Sequence, residues 1–179
     1  ITTTDKPINS ITDLNGLKIR TMESKPHLDS FKAFGASPLP MAYSELYTGL
    51  ETGIIDGAEA ANSNYYSKKF YEVAPYWSQI GWLRLVAPVI MSKVFYDTLP
   101  KDLQHIVNNS LGELIDYERK LYTDISKNRL EQLKELGVKI TYPDPEPFRI
   151  ASQYVYNQWA DKVGGWEMIR NIQNFDYQK

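Results

Sequence analysis

The chain has 179 residues, a formal net charge of -2, 42% hydrophobic residues, two histidines and no cysteine. Such a length can bury one full core, or two lobes if it is part of something larger. The charge balance gives no electrostatic reason for a nucleic acid partner or an anionic membrane surface, and the lack of cysteine excludes disulfides, thiol nucleophiles and thiolate metal sites. No apolar run approaches the ~20 residues of a membrane span, and none resembles a signal peptide.

The chain enters on Ile1 and Thr2-Thr3-Thr4-Asp5, with no helix or strand signal ahead of it and the look of a processed or truncated product. Asp13-Leu14-Asn15-Gly16 is a turn, and it feeds a strand through Leu17-Lys18-Ile19-Arg20 whose C-terminal end carries a charge. The segment Lys25 to Phe34 places Leu28, Phe31, Lys32 and Phe34 at near-helical spacing and stops at Gly35, as a glycine-capped helix does. A strand through Leu39 follows, then a helix capped by Ser44 with Leu46, Tyr47 and Leu50 buried, then a strand at Ile54-Ile55. Strand, helix, strand, helix, strand is the pattern of a parallel, right-handed α/β layer.

Asn62 to Ala74 is polar, tyrosine-rich and helical, with a modest apolar contribution, and it ends at Pro75; Tyr65, Tyr66 and Tyr71 read as exposed. Apolar alternations around Ile80 to Leu85 and Val86 to Met91 predict two strands, Pro88 marking an edge or a crossing segment. Pro100 to Leu136 holds the longest regular pattern and predicts one helix of about 35 residues, on the order of 50 Å, closed by Gly137. A helix of that length exceeds one small lobe, so it spans two lobes or packs as a coiled coil, and irregular charges at the flanking heptad positions argue against the coil. Val138 to Thr141 is a short strand, 142–147 a proline-spaced connector, and Phe148 to Val163 an amphipathic helix broken at Gly164-Gly165 before a last helix with Trp166, Ile169 and Ile172.

Arg20 is the first candidate functional residue. Ligands of open α/β sheets gather at the carboxyl ends of strands, and a guanidinium there offers a planar charged fork for a carboxylate; the alternative is a surface arginine or an ordinary ion pair. Catalytic chemistry is poorly supplied. His27 and His105 are far apart and are assigned to the surface, and no nucleophile elbow, dinucleotide fingerprint, phosphate loop or calcium loop occurs. No cofactor is expected.

The ordered runs Lys6-Pro7-Ile8-Asn9-Ser10, Asp13-Leu14-Asn15-Gly16-Leu17-Lys18-Ile19-Arg20, Gly35-Ala36-Ser37-Pro38 and Pro40-Met41-Ala42-Tyr43-Ser44-Glu45-Leu46-Tyr47 continue into Gly53-Ile54-Ile55-Asp56-Gly57-Ala58-Glu59, Lys69-Phe70-Tyr71-Glu72-Val73 and Leu99-Pro100-Lys101-Asp102-Leu103-Gln104. In this order and spacing the chain resembles the DctP-type periplasmic solute-binding subunits of tripartite ATP-independent (TRAP) transporters. The resemblance implies an α/β, periplasmic-binding-protein-like, two-lobe architecture. The present residues would be its C-terminal portion: 1–85 and 126–179 most of the C-terminal lobe, 86–125 a crossing strand and long helix against the N-terminal lobe.

The resemblance also implies a non-enzymatic function: capture of a small organic acid in the periplasm and its delivery to the TRAP membrane permease. A ligand-binding sensor domain of the same fold is the alternative. An enzyme using Glu59 as base is disfavoured, since a glutamate tethered to an arginine is a poor base near neutrality. Residue by residue, the resemblance implies that Arg20 clamps the solute carboxylate, Tyr43 packs on the solute and Glu59 holds the guanidinium in place. Relatives commonly carry asparagine where this chain has Ala60, and Asn62 either replaces that polar hand or caps a helix. Trp82 lies where many relatives place a histidine facing the cleft, and Glu23 falls near the end of the Arg20 strand. With Ala60, Met22 and Met41, Trp82 points to a solute with one carboxylate and a less polar body.

Overall fold

A computed structural model describes residues 1–175. The elements run β1 (Thr2–Thr3), β2 (Lys18–Thr21), α1 (Lys25–Ala33), β3 (Ser37–Pro40), α2 (Leu46–Glu51), β4 (Gly57–Ala58), α3 (Asn62–Ser67), β5 (Tyr76–Ser78), α4 (Lys93–Thr98), α5 (Lys101–Glu135), β6 (Lys139–Thr141), α6 (Glu146–Trp159) and α7 (Gly165–Gln173). The strands form one sheet in the order β3-β2-β4-β1-β5-β6.

β2 pairs in parallel with both β3 and β4, as the strand–helix alternation predicts. The layer as a whole is mixed rather than parallel, because β1 runs antiparallel to β4 and to β5. Two residues without a sequence pattern make that strand; Thr2 and Thr3 are buried, and the Thr2 hydroxyl donates to the carbonyl of Ala74 at 2.8 Å. β4 lies at Gly57–Ala58 and not at Ile54-Ile55. A Cβ on Gly57 would run into the carbonyl of Thr2 and the tip of Ile19, so only glycine lets β1 and β2 close on β4.

The chain passes from β2 to β3 on one side of β2 and returns to β4 on the other. Successive right-handed crossovers in opposite directions put their helices on opposite faces of a sheet. Accordingly, Phe31 of α1 and Phe34 just past its end pack with Ile19, Ile80 and Phe148 in one core, and Leu46 and Leu50 of α2 pack with Ala58, Tyr65, Trp77 and Leu133 in the other. Register agrees: Ile19 pairs with Gly57 and points to the first core, so Arg20, paired with Ala58, points to the second.

Several local expectations change. Ser44 is inside a 3-10 turn, Tyr43–Glu45, that leads into α2, and does not cap it. The stretch after β4 divides into α3 and a 3-10 turn, Phe70–Glu72, separated by Lys69 at a positive φ of 55°. Its apolar contribution is large: Tyr65 and Phe70 are buried, and Tyr65 stacks on Trp77 with ring centroids 4.3 Å apart. Tyr65 is therefore core, with its hydroxyl donating to the carbonyl of Ala74. α6 ends at Trp159 and a 3-10 turn carries on to Lys162, short of Val163.

The strands expected at 80–85 and 86–91 are absent among the described residues, and 79–92 has no regular structure. A strand needs a neighbour for its N–H and C=O groups, and after the Gln79 N–H, which donates to the carbonyl of Thr141 in β6, no strand pairing continues along this stretch. Leu85, Val86, Val89 and Ile90 are exposed there. The long helix is as predicted, with 35 residues in α5. No helix among the described residues is long and apolar enough to cross a membrane.

Candidate functional site

The place where the connections reverse, between β2 and β4, is where open α/β sheets leave a crevice at their carboxyl ends. Arg20 sits there with 4% of its surface exposed. Its Nε donates to the carbonyl of Met41 at 2.9 Å and its Nη1 to Glu59 Oε1 at 3.3 Å. Met41 follows β3 and Glu59 follows β4, so the parallel strands flanking β2 each supply one hand to the guanidinium. The Glu59 amide in turn donates to the carbonyl of Arg20 at 3.4 Å, tying the two backbones together.

Burying a guanidinium requires this pairing, since an unpaired charge out of water is far more costly than a paired one. The two bonds leave three of the five guanidinium donors uncommitted, both hydrogens of Nη2 among them. The Tyr43 ring lies 5.6 Å from Cζ of Arg20 and edge-on to Phe70. Burial pushes the Tyr43 hydroxyl above its usual pKa, against the opposing pull of the neighbouring Arg20 charge. The hydroxyl makes no hydrogen bond of good geometry, although Asn64 lies beside it.

Sequence reasoning missed His27. It stands in the first turn of α1, beyond the end of β2, and is half-buried rather than a surface residue. Its ring meets Trp82 edge-on with centroids 5.2 Å apart, and its Nδ1 is buried without a partner. Burial lowers its pKa; Glu59 opposes that shift and Arg20 adds to it. The signal was present: His27 precedes Phe31 by four residues, on the face that α1 turns to the core. His105 is exposed on α5.

Arg20, Tyr43 and Glu59 are thus gathered, with Trp82 behind His27 and wedged among Phe31 and Phe34. Met22, Met41 and Ala60 are half-buried, and Glu23 is exposed in the turn between β2 and α1. Asn62 starts α3 but does not cap it, since Ala61 holds the cap position. Its side-chain oxygen accepts from Trp77 Nε1 at 2.8 Å and Gln79 Nε2 at 2.7 Å, and its amide donates to Ser126 Oγ at 3.1 Å. Asn62 therefore ties α3, β5 and α5.

A concavity of about 430 Å³ opens at the other end of the strands, lined by Thr4, Asp5, Leu50, Glu51, Gly53 and Asp56 among others. Its three carboxylates and lack of any lining cation make it unsuited to an acid. Among the described residues no group of three or more potential ligands gathers to hold a metal ion.

The model of the family described as bacterial extracellular solute-binding protein, family 7 (DctP), matches residues 1–162. The sialic acid-binding periplasmic protein SiaP of Vibrio cholerae is 32% identical over 163 residues, covering 91% of this chain and 51% of that protein. The 2,3-diketo-L-gulonate-binding periplasmic protein YiaO of Escherichia coli is 36% identical over 140 residues, covering 78% of this chain and 43% of that protein. Among solved structures, a TRAP periplasmic solute binding protein from Pseudomonas putida F1 with bound D-glucuronate superposes with a TM-score of 0.85 at 29% identity, over 97% of this chain and 56% of that one. The chain spans about half the length of the curated relatives it matches, and its mixed α/β sheet and helices correspond to about half of a two-lobe fold. On sequence and fold together, the chain belongs to the DctP family of TRAP-type extracellular solute-binding proteins.

Proposed function

We propose that the protein is the extracytoplasmic, periplasmic solute-binding subunit of a TRAP transporter, that it captures a small organic acid through Arg20, and that it delivers the acid to a membrane permease. The observation that carries this is the buried Arg20 guanidinium, held by Met41 and Glu59 yet left with uncommitted donors at the carboxyl edge of the sheet. A carboxylate is the group whose two oxygens fit such a fork. Tyr43 walls one side, Trp82 and the half-buried Met22 and Met41 supply less polar surface, and Glu59 holds the guanidinium. Relatives named for sialic acid and diketogulonate, and a neighbour holding D-glucuronate, are all partners of carboxylates, which supports the reading.

In the same reading residues 1–85 and 126–179 belong to one lobe, and 86–125 offer the apolar face on which a second lobe packs. Capture shifts the population towards a closed form in which the two lobes meet over the solute. No bond of the solute is made or broken.

The test is calorimetric titration of the full-length protein with mono- and dicarboxylates. Truncating one member of a buried charge pair costs about 2–5 kcal/mol, or roughly 30-fold to several thousand-fold in affinity. Arg20→Ala is expected to lose binding on that scale, and Arg20→Lys, which keeps the charge but not the fork, to fall between. Folding of each variant is checked by circular dichroism. Affinity retained within about tenfold in a folded Arg20→Ala protein overturns the clamp.

A further inference from the structure

The Arg20–Glu59 pair closes through one atom from each side, Nη1 and Oε1 at 3.3 Å. Arg20 Nη2 and Glu59 Oε2 make no hydrogen bond with the described residues. Neither is among the buried side-chain atoms left without a partner, which among the described residues are His27 Nδ1 and the Tyr43 hydroxyl, so both reach the surface. Each shares a carbon with an atom of the 3.3 Å contact. An uncommitted donor and an uncommitted acceptor therefore border one contact at the carboxyl edge of the sheet, and Glu59 is the more open, with 14% of its side chain exposed against 5% for Arg20.

We infer that Glu59 sets which acids the site accepts, its free oxygen taking a hydrogen bond from a donor carried on the carbon next to the solute carboxylate. The inference rests on Arg20 holding that carboxylate. It commits the solute to a 2-hydroxy or 2-amino acid, over the 2-keto and unsubstituted acids of the same skeleton.

A carboxylate that meets Arg20 Nη2 comes up against the carboxylate of Glu59, and acceptor facing acceptor is unfavourable. A donor on the adjacent carbon turns that contact into a charge-assisted hydrogen bond. A keto oxygen is one more acceptor, and a methylene is neither donor nor acceptor. Of the two groups that hold the guanidinium, the Met41 carbonyl gives its one oxygen to Nε, whereas Glu59 keeps a second. Tyr43 meets the guanidinium with its ring, whose centre lies 5.6 Å from Cζ, and leaves the accepting role to Glu59. While the cleft is open, water serves Glu59 Oε2. In the closed form of the same reading that water is displaced, the solute becomes the partner, and an acid without a donor leaves a buried acceptor bare.

The experiment is calorimetric titration of the full-length protein with two series of acids. One holds 2-hydroxy-4-methylpentanoate, leucine, 2-oxo-4-methylpentanoate and 4-methylpentanoate, and the other 2-hydroxyglutarate, glutamate, 2-oxoglutarate and glutarate. A hydrogen bond to a charged acceptor corresponds to about tenfold to a hundredfold in affinity, so wild type is expected to prefer a donor-bearing acid to its keto and unsubstituted counterparts on that scale. The stronger of the hydroxy and amino acids tells whether the donor is a hydroxyl or an ammonium. Glu59→Gln keeps an oxygen for Arg20 Nη1 and puts an amide nitrogen where Oε2 stood, so it is expected to weaken the donor-bearing acids selectively and abolish the preference. A glutamate that only positioned Arg20 would weaken every acid alike and leave the ratios in place, and that result overturns the inference. So does a wild-type protein that binds the keto or unsubstituted acid as tightly as the donor-bearing ones, an outcome that needs no variant and leaves Arg20→Ala to report on the clamp. A wild-type protein that binds no member of either series overturns both readings.

Discussion

The two ends of α5 carry one apolar stripe into different surroundings. From Ser126 onward the helix is anchored: Ser126 accepts from Asn62, Arg129 lies 4.3 Å over the Tyr66 ring, and Leu133 is fully buried among Leu46, Tyr65 and Trp77. From Lys101 to Ile125 the stripe continues through Leu103, Ile106, Leu114, Ile115, Leu121 and Tyr122, all exposed. Periodicity therefore tells which side of a helix is apolar, whereas burial depends on what stands opposite. α3 stands opposite the C-terminal end, whereas toward the N-terminal end Gln104 and Asn108 bond only the short α4 segment, at Tyr96 and Leu99. Isolated surface leucines are ordinary, but a row of them along one helix face is not.

The largest effect should come from the anchored end. Leu133→Ala leaves a cavity in the core between α5 and the sheet and should cost about 2–5 kcal/mol of unfolding free energy. Urea denaturation followed by tryptophan fluorescence measures it, Trp77 being in the same cluster. A loss below about 1 kcal/mol would mean that this end of α5 is held no better than the other.

Much of this was written in the sequence, and the exceptions share a cause. The β2-α1-β3-α2-β4 order was legible because Gly16, Gly35 and Gly53 punctuate it, each at positive φ where a side chain is disfavoured. The bounds of α5 were legible because Pro100 and Gly137 close a pattern too long to mistake. β1 was not legible, since Thr2–Thr3 become a strand only by pairing with residues more than 50 positions away. The strands expected in 80–91 failed for the converse reason: the alternation is there and the pairing partner is not. Within the site, Arg20 was legible by its place at a strand end, and Tyr43 and Glu59 through the family resemblance. His27 was not, because a half-buried polar residue in a helix's first turn has the sequence appearance of a surface one.

Asn62 supplies the next test, since its side chain is the polar half of the α5 anchor. Asn62→Ala leaves the Trp77 indole N–H, itself 2% exposed, without an acceptor, and also strands Gln79 and Ser126. An unsatisfied buried donor costs about 1–3 kcal/mol, so the variant should lose roughly that amount. Ser126→Ala and the double variant complete a cycle. Coupling of about 0.5–1.5 kcal/mol between the two positions is the expected reading, and strict additivity would show that the bond does not hold α5 to α3.

The smallest expected effect is the most telling about the other end. Leu114→Ala in the 179-residue chain removes a side chain that is already 48% exposed, and should leave the unfolding free energy within about 0.5 kcal/mol of wild type. Leu114 and Leu133 are the same residue on the same helix, so the slight gain in helix propensity on going to alanine is shared by both variants and the difference isolates burial. With a second lobe packed on 86–125, the same Leu114→Ala change should instead cost on the order of 2–5 kcal/mol, because the side chain then lines an interior. A cost near zero in both forms would place the second lobe elsewhere and leave this stripe as solvated helix. A cost of several kcal/mol in the 179-residue chain itself would mean that the stripe is already covered, and the contrast between the two ends of α5 would disappear.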